Sequence, residues 1–174
     1  MPVREAFRTL EGEKLLEINA YKGATVLRID ETFIKEIYGL LRALECLIYE
    51  SALPYIDDEL IAELKAVNEE IGIIADGRAP SSGYIDLNTK FHGLIMSRGG
   101  NSKAIELYRY YHMLIRTLRK SYMPSIIRIQ AVYSEHEELI AALEKKDALA
   151  IKTAVDKHVG HAMENFLKVY AGQL

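Results

Sequence analysis

Residues 30–53 read DETFIKEIYGLLRALECLIYESAL and decide the fold class of this chain. Their apolar residues return every three or four positions, which predicts a long helix with one buried stripe. Asp30 has a short acceptor side chain and is expected to cap the start of the helix, which ends before Pro54. The predicted stripe consists of Phe33, Ile34, Ile37, Leu40, Leu41, Leu44, Leu47 and Ile48.

The same period continues downstream and predicts five more helices. The first opens at Asp57 or Asp58 and fades into the loop-like stretch 76–83, and the others cover about 84–97, 101–120, 125–145 and 147–170. Six helices joined by short connections predict an all-α domain over residues 30–174, built as an antiparallel helical bundle.

Residues 1–29 follow a different pattern. Residues 3–13 predict a short helix, and residues 15–19 and 24–29 alternate as strands on either side of a turn that contains Gly23. A helix and a two-stranded hairpin bury little apolar surface alone. We therefore interpret residues 1–29 as a fragment of a larger domain.

Composition limits the classes of protein to which this chain can belong. The net charge of −3 does not indicate a nucleic-acid surface by itself, and the single cysteine, Cys46, excludes an internal disulfide. No run approaches the roughly 20 apolar residues of a membrane helix, and the N-terminus lacks the apolar core of a signal peptide. The sequence thus predicts a cytoplasmic protein with no membrane partner.

Four polar residues fall on the predicted buried stripes of three helices. Asn88 and His92 are four residues apart on the third helix, and His136 and His158 lie mid-stripe on the fifth and sixth. Burying such groups costs free energy unless each finds a partner. A metal ion is a partner that several neutral imidazoles can share, and nitrogen ligands suit zinc or another late first-row metal such as nickel. A wet polar pocket lined by the same histidines is the alternative.

The fourth helix combines aromatic, histidine and arginine side chains, which is typical of a ligand-pocket wall. Arg116 is the preferred cation for a carboxylate, because a guanidinium binds it bidentately, whereas Arg109 and Arg119 are interpreted as surface residues. Glu135 and its acidic neighbours are interpreted as a solvated face. The predicted effector-binding residues are Arg116, His112, Tyr108, Tyr133 and His161.

Catalytic signatures are missing from the sequence. It has no Gly-rich phosphate loop, no serine-nucleophile motif and no paired-carboxylate signature. We therefore do not expect an enzyme. Two alternatives stay open at this point: a metal-dependent enzyme that uses the same three histidines, and a purely structural dimerisation module.

The N-terminal residues resemble the end of the winged helix-turn-helix of GntR-family regulators. The resemblance rests on Pro2-Val3-Arg4-Glu5-Ala6 through Leu10, on Lys14-Leu15-Leu16-Glu17 and on Lys22-Gly23-Ala24-Thr25-Val26. It implies a recognition helix followed by the wing hairpin, so that the chain begins inside the DNA-binding domain. Arg4 and Arg8 would be the DNA contacts in an intact relative, and DNA is an expected partner only with a complete winged helix-turn-helix.

The remainder, residues 30–174, resembles the FCD effector domain of that family. The matching motifs are Leu44-Glu45, Asn88-x-x-Phe91-His92, Gly100-Asn101, His136 with Ala141-Ala142 and Asp147, then Ala154 and His158. The resemblance implies a homodimeric helical bundle that senses a small organic acid and modulates DNA binding. It also implies a divalent metal, often held by an aspartate and three histidines; by position these are Asn88, His92, His136 and His158. The sequence departs from the family's usual pattern in having Asn88 for the aspartate and Leu41 for an arginine.

Overall fold

The computed structural model describes residues 2–12, 15–21, 23–26, 29–118 and 123–171. In this part of the chain there are seven α-helices and one hairpin, which confirms the predicted helical fold with a short helix and hairpin before it. None of the described helices is both long enough and apolar enough to cross a membrane. The elements are α1 (Pro2–Gly12), β1 (Leu16–Asn19), β2 (Gly23–Val26), α2 (Glu31–Ala52), α3 (Asp58–Ala75), α4 (Tyr84–Ser97), α5 (Ser102–Leu118), α6 (Ile126–Glu144) and α7 (Ala148–Ala171).

Contacts divide the chain into two units, residues 1–34 and 35–174. In the first unit β1 and β2 pair antiparallel, and Gly23 closes the turn with the positive φ of 86° that a glycine adopts without strain. Arg4 and Arg8 are exposed on α1. Lys14 and Lys22, which belong to the quoted motifs, lie outside the described residues. The predicted domain boundary after residue 29 stays a prediction.

Short polar side chains begin five of the helices. Asp30, Asp57, Asn101, Ser125 and Asp147 each accept a hydrogen bond from the backbone N–H three residues later, at 2.8–3.2 Å. Each bond satisfies one of the amide groups that the first turn of a helix leaves without a partner. The cap predicted at Asp30 is confirmed, and of the two helix starts predicted at Asp57 or Asp58 the structure has Asp57 as the cap.

Helix α3 is central to the second unit, because it packs against both α4 and α6, and α6 packs in turn against α7. Leu64 and Ile71 of α3 are fully buried. At Gly72 an added Cβ would lie 2.9 Å from the ring of Tyr133, so the absence of a side chain lets that ring lie against α3. This close approach leaves the opposite side of α6 to face α7.

The buried stripe of α2 differs from the predicted one. Leu40 and Leu47 are exposed, whereas Tyr38, Glu45 and Tyr49 are buried. The apolar residues of this helix cover more than half of its circumference, so periodicity alone did not distinguish the side that packs in the unit from the side that does not. The prediction was wrong for Leu40 and Leu47, and it missed two polar residues that turn out to lie beside His92.

Replacing Leu64 by alanine tests the packing of α3. We expect Leu64→Ala to lower the free energy of unfolding by about 2–5 kcal/mol, since it removes a fully buried side chain and leaves a cavity. Ile73→Ala, on the exposed side of the same helix, should change it by less than about 0.5 kcal/mol. Urea denaturation of both variants gives the comparison, and equal losses would contradict this packing.

Candidate metal centre

Three predicted histidines from three helices come together in the second unit. One ring nitrogen from each of His92 (α4), His136 (α6) and His158 (α7) lies within 4.8 Å of the others. The ring centroids are 5.0–5.2 Å apart, and all three side chains are buried. What each ring can bind depends on which of its nitrogens carries the proton, and the surrounding contacts decide this.

His92 contacts two residues of α2. The Tyr49 hydroxyl donates to Glu45 Oε1 at 2.7 Å, and the Nδ1 of His92 is 2.7 Å from the Tyr49 oxygen and 3.0 Å from Glu45 Oε1. An ionised carboxylate only accepts hydrogen bonds, and the tyrosine hydrogen is already directed to it. Nδ1 of His92 is therefore the protonated nitrogen.

His136 is oriented by Asn68 of α3. The Asn68 amide nitrogen donates to the backbone carbonyl of Tyr133 at 3.1 Å and to Glu137 Oε1 at 2.6 Å, so its oxygen is turned toward Nδ1 of His136, 3.2 Å away. Because an amide oxygen accepts, Nδ1 of His136 donates. The ring also stacks on Phe91, with centroids 3.8 Å apart and planes 2° from parallel.

His158 is oriented by Glu135 of α6. Nδ1 of His158 lies 2.7 Å from Glu135 Oε2, and Nδ1 of His161 lies 2.7 Å from Oε1 of the same carboxylate. Arg128 donates to both Glu135 oxygens, at 2.7 and 3.0 Å. The short contact to an ionised acceptor fixes the proton of His158 on Nδ1 as well.

The three contacts leave Nε2 as the free nitrogen of each ring. Nε2 of His136 is buried and has no hydrogen-bond partner among the described residues. Burial, followed by the nearby His158, His92 and Arg128, lowers the pKa of His136 well below its usual value, and burial also lowers the pKa of His158. A neutral imidazole with a free Nε2 lone pair is the form that binds a metal, so the donor set fits a late first-row ion.

Both carboxylates behind the histidines are ionised. Burial raises the pKa of Glu45, but the adjacent His92, which donates through Nδ1, outweighs burial and holds that pKa at about 2. Burial likewise raises the pKa of Glu135, and the hydrogen bonds from His158 and Arg128 lower it to about 2. Burial, with the adjacent Glu45, raises the pKa of Tyr49, which keeps its hydroxyl protonated.

Two adjoining cavities lead to this centre. The inner one, of about 90 Å³, is lined by Glu45, His92 and His158 among others, and the outer one has a volume of about 330 Å³. The residues that line both are Tyr84, Asn88, His112, Ile115 and Pro124. Asn88 and His112 therefore lie where the two cavities meet.

Most of the other predicted binding residues line these cavities. Asn88 Oδ1 accepts a hydrogen bond from the Tyr84 hydroxyl at 3.4 Å. Tyr108 lines the inner cavity, and the ring of His112 stacks on it with centroids 5.5 Å apart. Arg116 lines the outer cavity, half exposed, with its guanidinium 3.5 Å from Asp86.

The remaining predicted residues are placed elsewhere. Tyr133 packs against α3 and does not line either of the two cavities. His161 contacts Glu135 on the far side from His158, Arg109 is exposed, and Arg119 lies outside the described residues. Asp86 lies in the first turn of α4, and Gly83 occupies the N-cap position.

Sequence reasoning missed the residues that orient the histidines. Glu135 was expected on a solvated face, yet its side chain is only 3% exposed. A signal was available, because Arg128 and Glu135 are seven residues apart and so lie on one face of α6. Glu45 and Asn68 stand as single polar residues in apolar stripes, the same signal that identified the histidines.

Comparison with known proteins identifies the family. The FCD domain matches residues 36–161, which is most of the chain. The chain belongs to the FCD domain family of GntR-type transcriptional regulators. It is similar to an uncharacterised HTH-type transcriptional regulator, YdhC of Bacillus subtilis, with 27% identity over 97% of this chain and 75% of the relative. It is also similar to the HTH-type transcriptional repressor RspR of Escherichia coli, with 22% identity over 97% and 73%.

Solved structures of other proteins share the fold. E. coli McbR/YncC aligns with a TM-score of 0.74 and 19% identity over 97% of this chain and 80% of that one. A GntR-family regulator from Pseudomonas syringae aligns with a TM-score of 0.68 and 22% identity over 99% and 71%. At such identities the likeness establishes the fold of this FCD protein and nothing about its site.

Asn68 offers a test of how the centre is oriented. We expect Asn68→Ala to lower the free energy of unfolding of the metal-free protein by about 1–3 kcal/mol, because it leaves the buried Nδ1–H of His136 without an acceptor. Glu70→Ala, exposed on the same helix, should change it by less than about 0.5 kcal/mol. Urea denaturation in the presence of a chelator measures both. A loss for Asn68→Ala no larger than for the control would contradict the assigned hydrogen bond.

Proposed function

We propose that residues 35–174 form a metal-dependent sensor of a small organic acid within a transcriptional regulator. The observation that carries this proposal is the set of three histidines with every Nδ1 held by an acceptor and Nε2 left free; two of them, His92 and His158, line the inner cavity. Imidazoles arranged for a structural role alone would not need three matched tautomers and a buried Nε2 without a partner.

The proposed metal is zinc or nickel. His92, His136 and His158 would bind it through Nε2, and nitrogen donors of this kind suit both ions. We propose Asn88 as a further, weaker ligand through Oδ1, because it precedes His92 by one helical turn and lines the same inner cavity. The metal would supply a Lewis-acidic centre for an anionic ligand.

The proposed effector site is the outer cavity together with the place where it meets the inner one. A volume of about 330 Å³ lies within the range of small-molecule sites. Arg116 offers a guanidinium fork to a carboxylate, and His112 offers a ring at the junction. An acid with one carboxylate toward the metal and another oxygen toward Arg116 fits this arrangement.

The regulatory partner we propose is DNA, bound by a homodimer. Arg4 and Arg8 are four residues apart and exposed on α1, so they share a face that can meet phosphates. Their contribution requires the rest of a winged helix-turn-helix. Ligand binding in the sensor would then shift the DNA affinity by favouring one of two arrangements of the dimer.

Metal content is the first measurement. The protein purified without chelator should contain about one zinc or nickel ion per chain by plasma mass spectrometry, and His136→Ala should lose it. Lys157→Ala, next to His158 but exposed, should keep the metal. If wild-type protein holds no metal after incubation with either ion, the metal-dependent part of the proposal is wrong.

Binding of acids to zinc-loaded protein tests the effector site. Titration calorimetry with a panel of small mono-, di- and tricarboxylic acids should find a ligand whose affinity drops by about tenfold or more in Arg116→Met, since a hydrogen-bonded ion pair is lost. Arg78→Met, where the arginine pairs with Asp76 at the surface, is the matched control. A ligand bound equally well by both variants would exclude Arg116 as its anchor.

A further inference from the structure

The proposed metal ligands of this protein are all neutral. Three imidazoles and the amide of Asn88 bring no negative charge, so a divalent ion bound by them would keep both of its positive charges in a buried site. An uncompensated charge in a low-dielectric interior is strongly unfavourable. A site of this composition therefore needs an anion close behind the ligands.

Two buried carboxylates lie in that position, and their surroundings differ. Glu135 is bound by Arg128 through both of its oxygens, so its charge is largely balanced already. Glu45 is 2% exposed, and among the described residues no lysine or arginine comes within salt-bridge distance of it. Its partners are the Tyr49 hydroxyl and Nδ1 of His92.

The three histidines thus have three kinds of support. His92 is backed by a carboxylate without a permanent cation, His158 by a carboxylate that an arginine neutralises, and His136 by the neutral amide of Asn68. A carboxylate bound to the outer nitrogen of a ligating histidine raises the basicity of the ring and fixes its direction. Only the carboxylate behind His92 has no arginine or lysine partner among the described residues, so its charge can balance an ion bound on the other side of the ring.

We propose that Glu45, acting through His92, supplies the compensating negative charge of the metal centre that its own ligands do not provide. This inference rests on the proposed metal site. Glu45 is a positioning residue here: it lies behind the imidazole and balances the ion across it. The arrangement assigns to α2 a part in metal affinity although α2 contributes none of the proposed ligands.

Zinc affinity of charge variants tests this role. We expect Glu45→Gln to weaken zinc binding by about 10- to 100-fold in competition with a chromogenic chelator, while the same substitution at the exposed Glu50 of α2 leaves it unchanged. The metal-free Glu45→Gln protein should still fold and unfold cooperatively, because glutamine keeps the shape of the side chain and an oxygen that accepts from Nδ1 of His92. Zinc affinity within threefold of wild type would overturn the proposal.

A rescue experiment separates charge from structure. Adding Asn88→Asp to Glu45→Gln returns one negative charge to the site, and it should restore most of the lost zinc affinity. A double variant no better than Glu45→Gln would overturn the proposal, because it would assign the loss to packing of α2. The test also separates this inference from the proposed function. If His136→Ala abolishes zinc binding but Glu45→Gln leaves it intact, this inference is rejected and the proposed function is kept.

A measurement on the wild-type protein is independent of how the variants fold. Nitrogen-15 spectra of the zinc-loaded protein, with labelled histidine, distinguish coordination by Nε2 from coordination by Nδ1. We expect Nε2 coordination at His92 with the Nδ1 proton retained toward Glu45. Coordination of His92 through Nδ1 would overturn the proposal, because Glu45 would then have no proton to accept from the ring.

Discussion

The structure of the second unit depends on one requirement: three buried imidazoles must each have an acceptor for Nδ1–H. The acceptors are Tyr49 and Glu45 of α2, Asn68 of α3 and Glu135 of α6. Each acceptor lies on a different helix from the histidine that it orients. The requirement therefore links α2, α3, α4, α6 and α7 through polar contacts as well as apolar packing. A buried imidazole N–H left without an acceptor would lower the stability of the unit more than an apolar pair at the same place.

Periodicity was sufficient to predict the helices, their order and the inward direction of the histidines. These features are local, because a cap such as Asp57 and the apolar positions that follow it belong to the same helix and can be predicted from its sequence alone. The assignment of faces on α2 was less successful, because leucines such as Leu40 and Leu47 outrank Tyr38 and Glu45 in hydrophobicity. The hydrophobic ranking favours leucine for burial, whereas the structure buries Tyr38 and Glu45, and the Glu45 carboxylate contacts His92 of α4.

The partners of the residues that orient the histidines could not be derived in the same way, although Glu45 and Asn68 stand out as single polar residues in apolar stripes. Burial of Glu135 depends on Arg128, seven residues before it, and on His158 and His161, more than twenty residues after it. No single helix contains the information that these groups meet. Asn68 poses the same difficulty, since its role depends on the carbonyl of Tyr133 and on Glu137 holding its amide in one orientation. Pairings of this kind belong to the tertiary structure.

The same cross-helix arrangement bears on how a ligand could change the protein. A metal bound to three histidines adds a constraint shared by α4, α6 and α7, and through Glu45 its charge also acts on α2. A small acid at the junction of the cavities would meet α4 at Asn88 and α5 at His112. Ligand binding shifts a conformational equilibrium only by the difference between its affinities for the two states. In the proposed sensor that difference would arise between α5 and the helices linked by the metal, because the acid would contact both, whereas the metal centre and its orienting residues would join only the latter.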